Sequence, residues 1–157
     1  MYNRQVLKRN LGFALFAISC NSMATAADDP PYKLAGGLAI YIGVVPAEIV
    51  KGHPSPHAEK TMHGGAPKGA QEYHVVAAIF DAKSGARVSD ASVTAQISGL
   101  GLSGTKKKLD PMEIASTVTY GEFFDMPGPD LYTIRLTIER PGQPNPVSLE
   151  FKYDHRK

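Results

Sequence analysis

The chain of 157 residues has a single cysteine, Cys20, and no tryptophan. One cysteine excludes an internal disulfide, so the fold has to be held together by its hydrophobic core. The sequence also lacks a Gly-x-Ser-x-Gly elbow, a glycine-rich phosphate loop and a His-Glu-x-x-His helix motif. Nothing in it therefore supports catalysis, and we expect a protein that is not an enzyme.

Long hydrophobic runs are also missing, and the N-terminus has the layout of a secretory signal peptide. Three basic residues precede an apolar run over 11–18, and small residues follow at 24–27. This run is about a dozen residues long, whereas a membrane-spanning helix needs roughly 20. We predict that residues 1–27 are a signal peptide and that the protein is periplasmic or secreted. Because residues 17–20 resemble a lipobox, lipid attachment at Cys20 is the alternative.

The chain has no large net charge of either sign when residues 1–27 are left out. The whole chain has 17 basic and 15 acidic residues, and residues 1–27 contain three of the basic ones and none of the acidic ones. The remaining chain has a net charge close to zero, which gives no reason to expect nucleic acid as a partner. Lys106, Lys107 and Lys108 lie between turn-forming residues, and we predict that they form a solvated turn.

Short segments with alternating apolar residues, separated by turn residues, predict an antiparallel β-sandwich. Residues 28–37 are rich in proline and glycine and are predicted to be a flexible lead-in to one domain over 38–157. No segment has a helical apolar period, so we expect little helix. Tyr132 follows a Pro/Gly/Asp corner and fits the tyrosine corner of immunoglobulin-like folds. The predicted strands, about seven, are 38–45, 72–80, 93–97, 114–120, 122–126, 132–139 and 147–153.

Histidine and methionine are concentrated in one Pro/Gly-flanked loop of about 25 residues, which leads into the second predicted strand. Imidazole and thioether ligands suit copper, and an exported chain without structural cysteines has to rely on them. Met62, His63 and His74 are the main candidates for a metal site, with His53 and His57 as weaker ones. The alternative is that these histidines are ordinary solvated or hydrogen-bonded residues.

Three motifs in the second half of the chain resemble the Tpd-type periplasmic iron-transport proteins. They are a Pro-Met pair at Met112, the triplet Thr119-Tyr120-Gly121, and the segment 126–132. The resemblance implies an immunoglobulin-like sandwich that binds copper near the Pro-Met pair and a His-Tyr-Gly triplet and acts in iron acquisition beside a membrane permease. Met112 is the ligand carried over, whereas Thr119 stands where the family has histidine.

Two other features bear on this resemblance. The stretch 73–93 is similar to YtkA-like exported domains. Met126, beside a proline at a strand edge, is a weaker candidate ligand, because methionine usually fills gaps in the core.

The function predicted from these patterns is that of a periplasmic protein that binds copper or iron and acts in metal uptake or homeostasis. The expected partners are the metal ion and an inner-membrane permease, and the sequence leaves open whether the protein forms a homodimer. The alternative is a non-catalytic envelope module that binds a protein partner through an edge strand. Residues 38–45 are the candidate for that edge.

Overall fold

The computed structural model describes residues 29–52, 65–114 and 116–156. This part of the chain forms antiparallel β-structure with one short helix, and the part that is described includes no helix long and apolar enough to cross a membrane. The predicted all-β sandwich is confirmed, with eight strands rather than about seven. The elements are β1 (Tyr32–Ala35), β2 (Leu38–Pro46), α1 (Ala47–Gly52), β3 (Glu72–Asp81), β4 (Ser92–Ser98), β5 (Thr105–Ile114), β6 (Thr117–Asp125), β7 (Leu131–Glu139) and β8 (Val147–Asp154).

The strands are hydrogen-bonded in the order β1-β2-β3-β6-β5-β4-β7-β8. The long strand β5 turns the corner between the two layers of the sandwich. Its first half, from Thr105 to Leu109, pairs with β4, and its second half, from Asp110 to Ile114, pairs with β6. The first sheet therefore comprises β1, β2, β3, β6 and the end of β5. The second comprises the start of β5 with β4, β7 and β8.

The turn predicted at the three lysines is wrong, because this segment is the start of β5. Lys106, Lys107 and Lys108 are exposed, as expected, but they pair in register with Gln96, Ala95 and Thr94 of β4. Consecutive lysines hide the alternation that marks a half-buried strand, and the following proline discourages a strand assignment. Pro111 is tolerated because the second half of β5 is the edge of the first sheet, where a missing N–H costs no ladder hydrogen bond.

The predicted fourth and fifth strands are one strand preceded by a hairpin turn. Ile114 ends β5, and Ser116 has a φ of 62° in the tight turn that leads into β6. A non-glycine residue in the left-handed region is uncommon, so the sequence carries no clear mark of this turn.

Part of the predicted flexible lead-in is ordered, since Tyr32–Ala35 forms β1. This strand pairs with the start of β2, so residues 38–41 are covered on both sides and the predicted edge at 38–45 is wrong for its first half. The outermost strands are β1 and β8. The Lys33 ammonium donates to the Glu150 carbonyl and to the Asp29 carboxylate, and it holds the pKa of Asp29 below its usual value.

The main core lies between the two sheets. The predicted tyrosine corner is present, because the hydroxyl of buried Tyr132 donates to the Pro127 carbonyl at 2.7 Å. Burial raises the pKa of Tyr132. A second, smaller apolar cluster lies on the outer face of the first sheet, where Ala47 and Val50 of α1 pack against Phe123 of β6. The candidate site is on this outer face.

Candidate metal centre

Buried polar and sulfur-containing side chains share the outer face of the first sheet. His74 on β3 pairs with Phe123 on β6, and Met112 on β5 pairs with Thr119 on β6. Because side chains alternate along a strand, Thr119, Gly121 and Phe123 all belong to the same face of β6. The exposed fraction is 0% for His74 and 5% for Met112, although both point away from the main core. A histidine and a methionine are therefore sequestered together outside it.

The side chains of His74 and Met112 converge on Gly121, which lies between them on β6. A Cβ atom added to Gly121 would lie 2.7 Å from His74 Nε2 and 2.6 Å from the terminal methyl carbon of Met112. Both distances are shorter than any normal contact, so even an alanine would clash with both side chains. Glycine at this position leaves room for both the imidazole and the methyl end of the thioether.

The orientation of the His74 ring is set by an aromatic neighbour. The His74 and Phe123 rings stack with centroids 4.6 Å apart and an interplanar angle of 25°. Phe123 is itself fixed by α1 on one side, and its carbonyl accepts a 2.6 Å hydrogen bond from the Lys107 ammonium. A ring held in this way keeps Nε2 directed at Gly121, which reduces the entropy lost on binding a ligand there.

The chemistry of these two donors fits a soft metal ion. Imidazole nitrogen and thioether sulfur are ligands for copper, and thioether in particular selects the cuprous ion. Across ranges 29–52, 65–114 and 116–156, no three His, Cys, Asp or Glu side chains form a group that could hold a metal ion.

Met126, the weaker candidate ligand, lies apart from this pair. Met126 is fully buried in the main core, on the opposite side of β6 from His74. His155, the fifth histidine, lies near the end of β8, where its Nε2 is 2.6 Å from the Tyr73 hydroxyl. The predicted ligands His53, His57, Met62 and His63 lie outside the described residues, as does the predicted signal peptide.

Sequence reasoning missed Gly121 and Phe123 as residues of the site. Gly121 is the last residue of the triplet on which the family resemblance rests, but the resemblance gives no structural role for a glycine there. Phe123 is two residues further along the same strand, and alternation alone would have placed it on the same face as Gly121. The pairing of β3 with β6 brings His74 to them, and the sequence does not mark that pairing.

Comparison with known proteins supports the fold. No protein-family model and no curated protein sequence matches the chain. Among solved structures, a copper-bound variant of FetP from uropathogenic Escherichia coli matches with a TM-score of 0.60 at 13% identity, covering 82% of this chain and 95% of that one. A copper-bound variant of Campylobacter jejuni P19 matches with a TM-score of 0.61 at 14% identity, covering 81% and 95%.

A DUF4426 family protein from Pseudomonas aeruginosa is similar to the same extent, with a TM-score of 0.60 at 14% identity over 81% of this chain and 93% of that one. At such low identity these likenesses concern the fold. The fold implied by the resemblance to periplasmic iron-transport proteins is thereby confirmed.

Proposed function

We propose that this protein binds a copper ion through His74 and Met112 and acts in metal uptake or homeostasis. The observation that carries the proposal is the convergence of His74 Nε2 and the Met112 thioether group on Gly121, in a buried position on the outer face of the sheet. Two proteins of the same fold, FetP and P19, have been solved with copper bound, which supports copper as the ion.

Copper is favoured over iron because of the donors themselves. The thioether of Met112 is a soft ligand, whereas iron in carrier sites is better matched by oxygen and imidazole ligands. The copper ion is cargo in this proposal rather than a resident cofactor, and no catalytic step is assigned to it. Two ligands alone give labile binding, and Met62 and His63 are proposed to complete the ligand set.

The proposed location is the periplasm, because of the signal-like segment at 1–27. A protein that takes up or buffers metal there has to pass its ion to a second component. An inner-membrane permease is the proposed recipient, in line with the sequence resemblance. Exchange with such a recipient is easier from a site with few ligands.

The test is the affinity of the purified protein for Cu(I) and Cu(II), measured by competition with a chromophoric chelator. Met112→Leu preserves volume and apolar character but removes the sulfur. We expect this variant to lower the affinity for Cu(I) at least tenfold, which corresponds to about 1.4 kcal/mol. Loss of binding should be larger for Cu(I) than for Cu(II), since thioether prefers the softer ion.

Met126→Leu is the matched control, because it makes the same chemical change at a methionine that is equally buried but belongs to the main core. Its copper affinity should equal that of the unaltered protein. The same affinity in the Met112 and Met126 variants would exclude Met112 as a ligand. Absence of stoichiometric binding in the unaltered protein would overturn the proposal as a whole.

A further inference from the structure

The loop between β4 and β5 exposes two leucines. Leu100 is 79% exposed and Leu102 is 69% exposed, the two highest values among the exposed large hydrophobic side chains of the described structure. Only Gly101 separates them, so both apolar groups are presented by the same short turn. Single exposed leucines are common on protein surfaces, whereas these two form a small apolar patch on one loop tip.

Hydrogen bonds and tight packing hold this loop in place. The Leu100 amide donates to Asp130 Oδ2 at 3.1 Å, and the Gln96 side-chain amide donates to the Ser103 carbonyl at 2.7 Å. Gly104 has a φ of +75°, and a Cβ there would lie 2.2 Å from the Ile97 carbonyl oxygen. A turn fixed by hydrogen bonds and close packing therefore presents the two leucines to solvent.

Positive charge adjoins the leucines. Lys106 and Lys108 are exposed on β5 immediately after the loop and alternate onto one face of the strand. The Lys107 ammonium is turned back to the Phe123 carbonyl. Two carboxylates, Asp125 and Asp130, line a cleft beside the loop. Asp130 accepts hydrogen bonds from the Leu100 and Leu131 amides, whereas Asp125 is exposed.

From this juxtaposition we infer that the β4–β5 loop docks on an anionic bilayer surface, with Leu100 and Leu102 entering the interface and Lys106 and Lys108 facing lipid phosphates. Shallow apolar insertion combined with basic side chains is the common arrangement for reversible membrane attachment. A protein partner is less suited to two leucines, because specific protein interfaces bury roughly 800 Å² on each side.

The loop lies at the end of the sandwich nearer to His74, which pairs with Phe123 close to the end of β6, whereas Met112 pairs with Thr119 near the start of that strand. The loop joins the end of β4 to the start of β5, where Lys107 contacts the carbonyl of Phe123, the residue that stacks on His74. Docking through this loop would bring the end of the molecule that carries His74 close to the bilayer. Copper binding and membrane docking are separate properties, so each experiment can fail without affecting the other.

Tryptophan fluorescence gives a direct test, because the chain contains no tryptophan of its own. Leu100→Trp places a single reporter on the loop tip, and Leu34→Trp places one at an exposed leucine of β1, distant in the fold. With vesicles of phosphatidylglycerol and phosphatidylcholine, we expect the emission of the Leu100 variant to shift to shorter wavelength and that of the Leu34 variant to stay unchanged.

Co-sedimentation with the same vesicles tests the two kinds of contact. Replacing Leu100 and Leu102 by Asn should reduce the bound fraction at least fivefold, and Lys106→Gln with Lys108→Gln should reduce it and weaken its salt dependence. Lys83→Gln, at an exposed lysine of the β3–β4 turn, is the control.

The inference would be overturned if the loop variants bound as well as the unaltered protein, or if the unaltered protein did not bind the vesicles. Equal binding to purely zwitterionic vesicles would exclude the charge contribution.

Discussion

At the scale of single residues, Gly121 is the position where the fold and the candidate metal centre depend on each other. It is an ordinary strand residue by its backbone, paired with Val76 on one side and Asp110 on the other. Its importance comes from what approaches it, since His74 and Met112 occupy the volume that any side chain would need. A glycine inside a strand usually costs stability, so its presence here indicates a packing requirement.

Gly121→Ala should therefore weaken copper binding while keeping the fold. The added methyl group clashes with both His74 and Met112, and we expect a loss of affinity for Cu(I) of about tenfold, or about 1.4 kcal/mol. Gly52→Ala, at the end of α1 where a Cβ would meet nothing within 4 Å, is the matched control and should bind normally. A Gly121 variant with unchanged affinity and an unchanged circular dichroism spectrum would show that the metal binds elsewhere.

At the scale of elements, the β1–β2 hairpin holds the edge of the first sheet against β8. Its turn consists of Gly36 and Gly37, with φ values of 54° and 76°. Only Gly36 is also pressed against the neighbouring strand, because a Cβ there would lie 2.4 Å from Val147 Cγ2, whereas one on Gly37 would meet nothing within 4 Å. A side chain at Gly37 would therefore introduce backbone strain alone, whereas one at Gly36 would also clash with β8.

Alanine substitutions at the two positions should differ accordingly. Gly37→Ala is expected to lower the free energy of unfolding by about 1 kcal/mol, because it forces an L-residue into the left-handed region. Gly36→Ala should cost at least about 1 kcal/mol more, since it adds a clash with Val147. Urea denaturation followed by circular dichroism measures both values. Equal losses would mean that β1 does not pack on β8 in solution.

At the scale of the whole molecule, Tyr120 ties the two layers together. It is 1% exposed within the main core, and its hydroxyl donates to the Val88 carbonyl at 3.2 Å and accepts from the Ala91 amide at 3.0 Å. These two residues belong to the connection that carries the chain from the first sheet to the second. Burial raises the pKa of Tyr120 above its ordinary value of about 10.

Stability should consequently fall at alkaline pH. Above pH 10 the unfolded chain releases the Tyr120 proton while the folded protein retains it, so the contribution is complete below pH 10 and is lost as the pH rises through the folded pKa. Tyr120→Phe should lose about 1–3 kcal/mol at pH 7, because two buried partners lose their hydrogen bonds, but should have a flatter stability profile from pH 10 to 11.

Urea unfolding at several pH values measures this profile. Tyr41→Phe, at a tyrosine that is 46% exposed, is the control and should keep the stability of the unaltered protein at pH 7. A Tyr120 variant with the same alkaline slope as the unaltered protein would contradict the expected burial of the hydroxyl.

Several elements of the fold could be predicted from the sequence because their signals are local. The alternation in β7 and β8 specifies one buried and one exposed face, and the Pro/Gly/Asp corner before Tyr132 specifies its turn. β5 was missed because three lysines and a proline mask its period. β1 was missed because glycines follow it at once and only its pairing with β2 and its contacts to β8 stabilise so short a strand.

The sequence by itself determined the β-sandwich class and identified His74 and Met112 as candidate ligands. Only the tertiary structure decided that His74 and Met112 both approach Gly121 and that Met126 belongs to the main core. The physical reason is that alternation fixes the face of each side chain within one strand, whereas the order β3-β6-β5, which brings separate strands together, depends on long-range pairing.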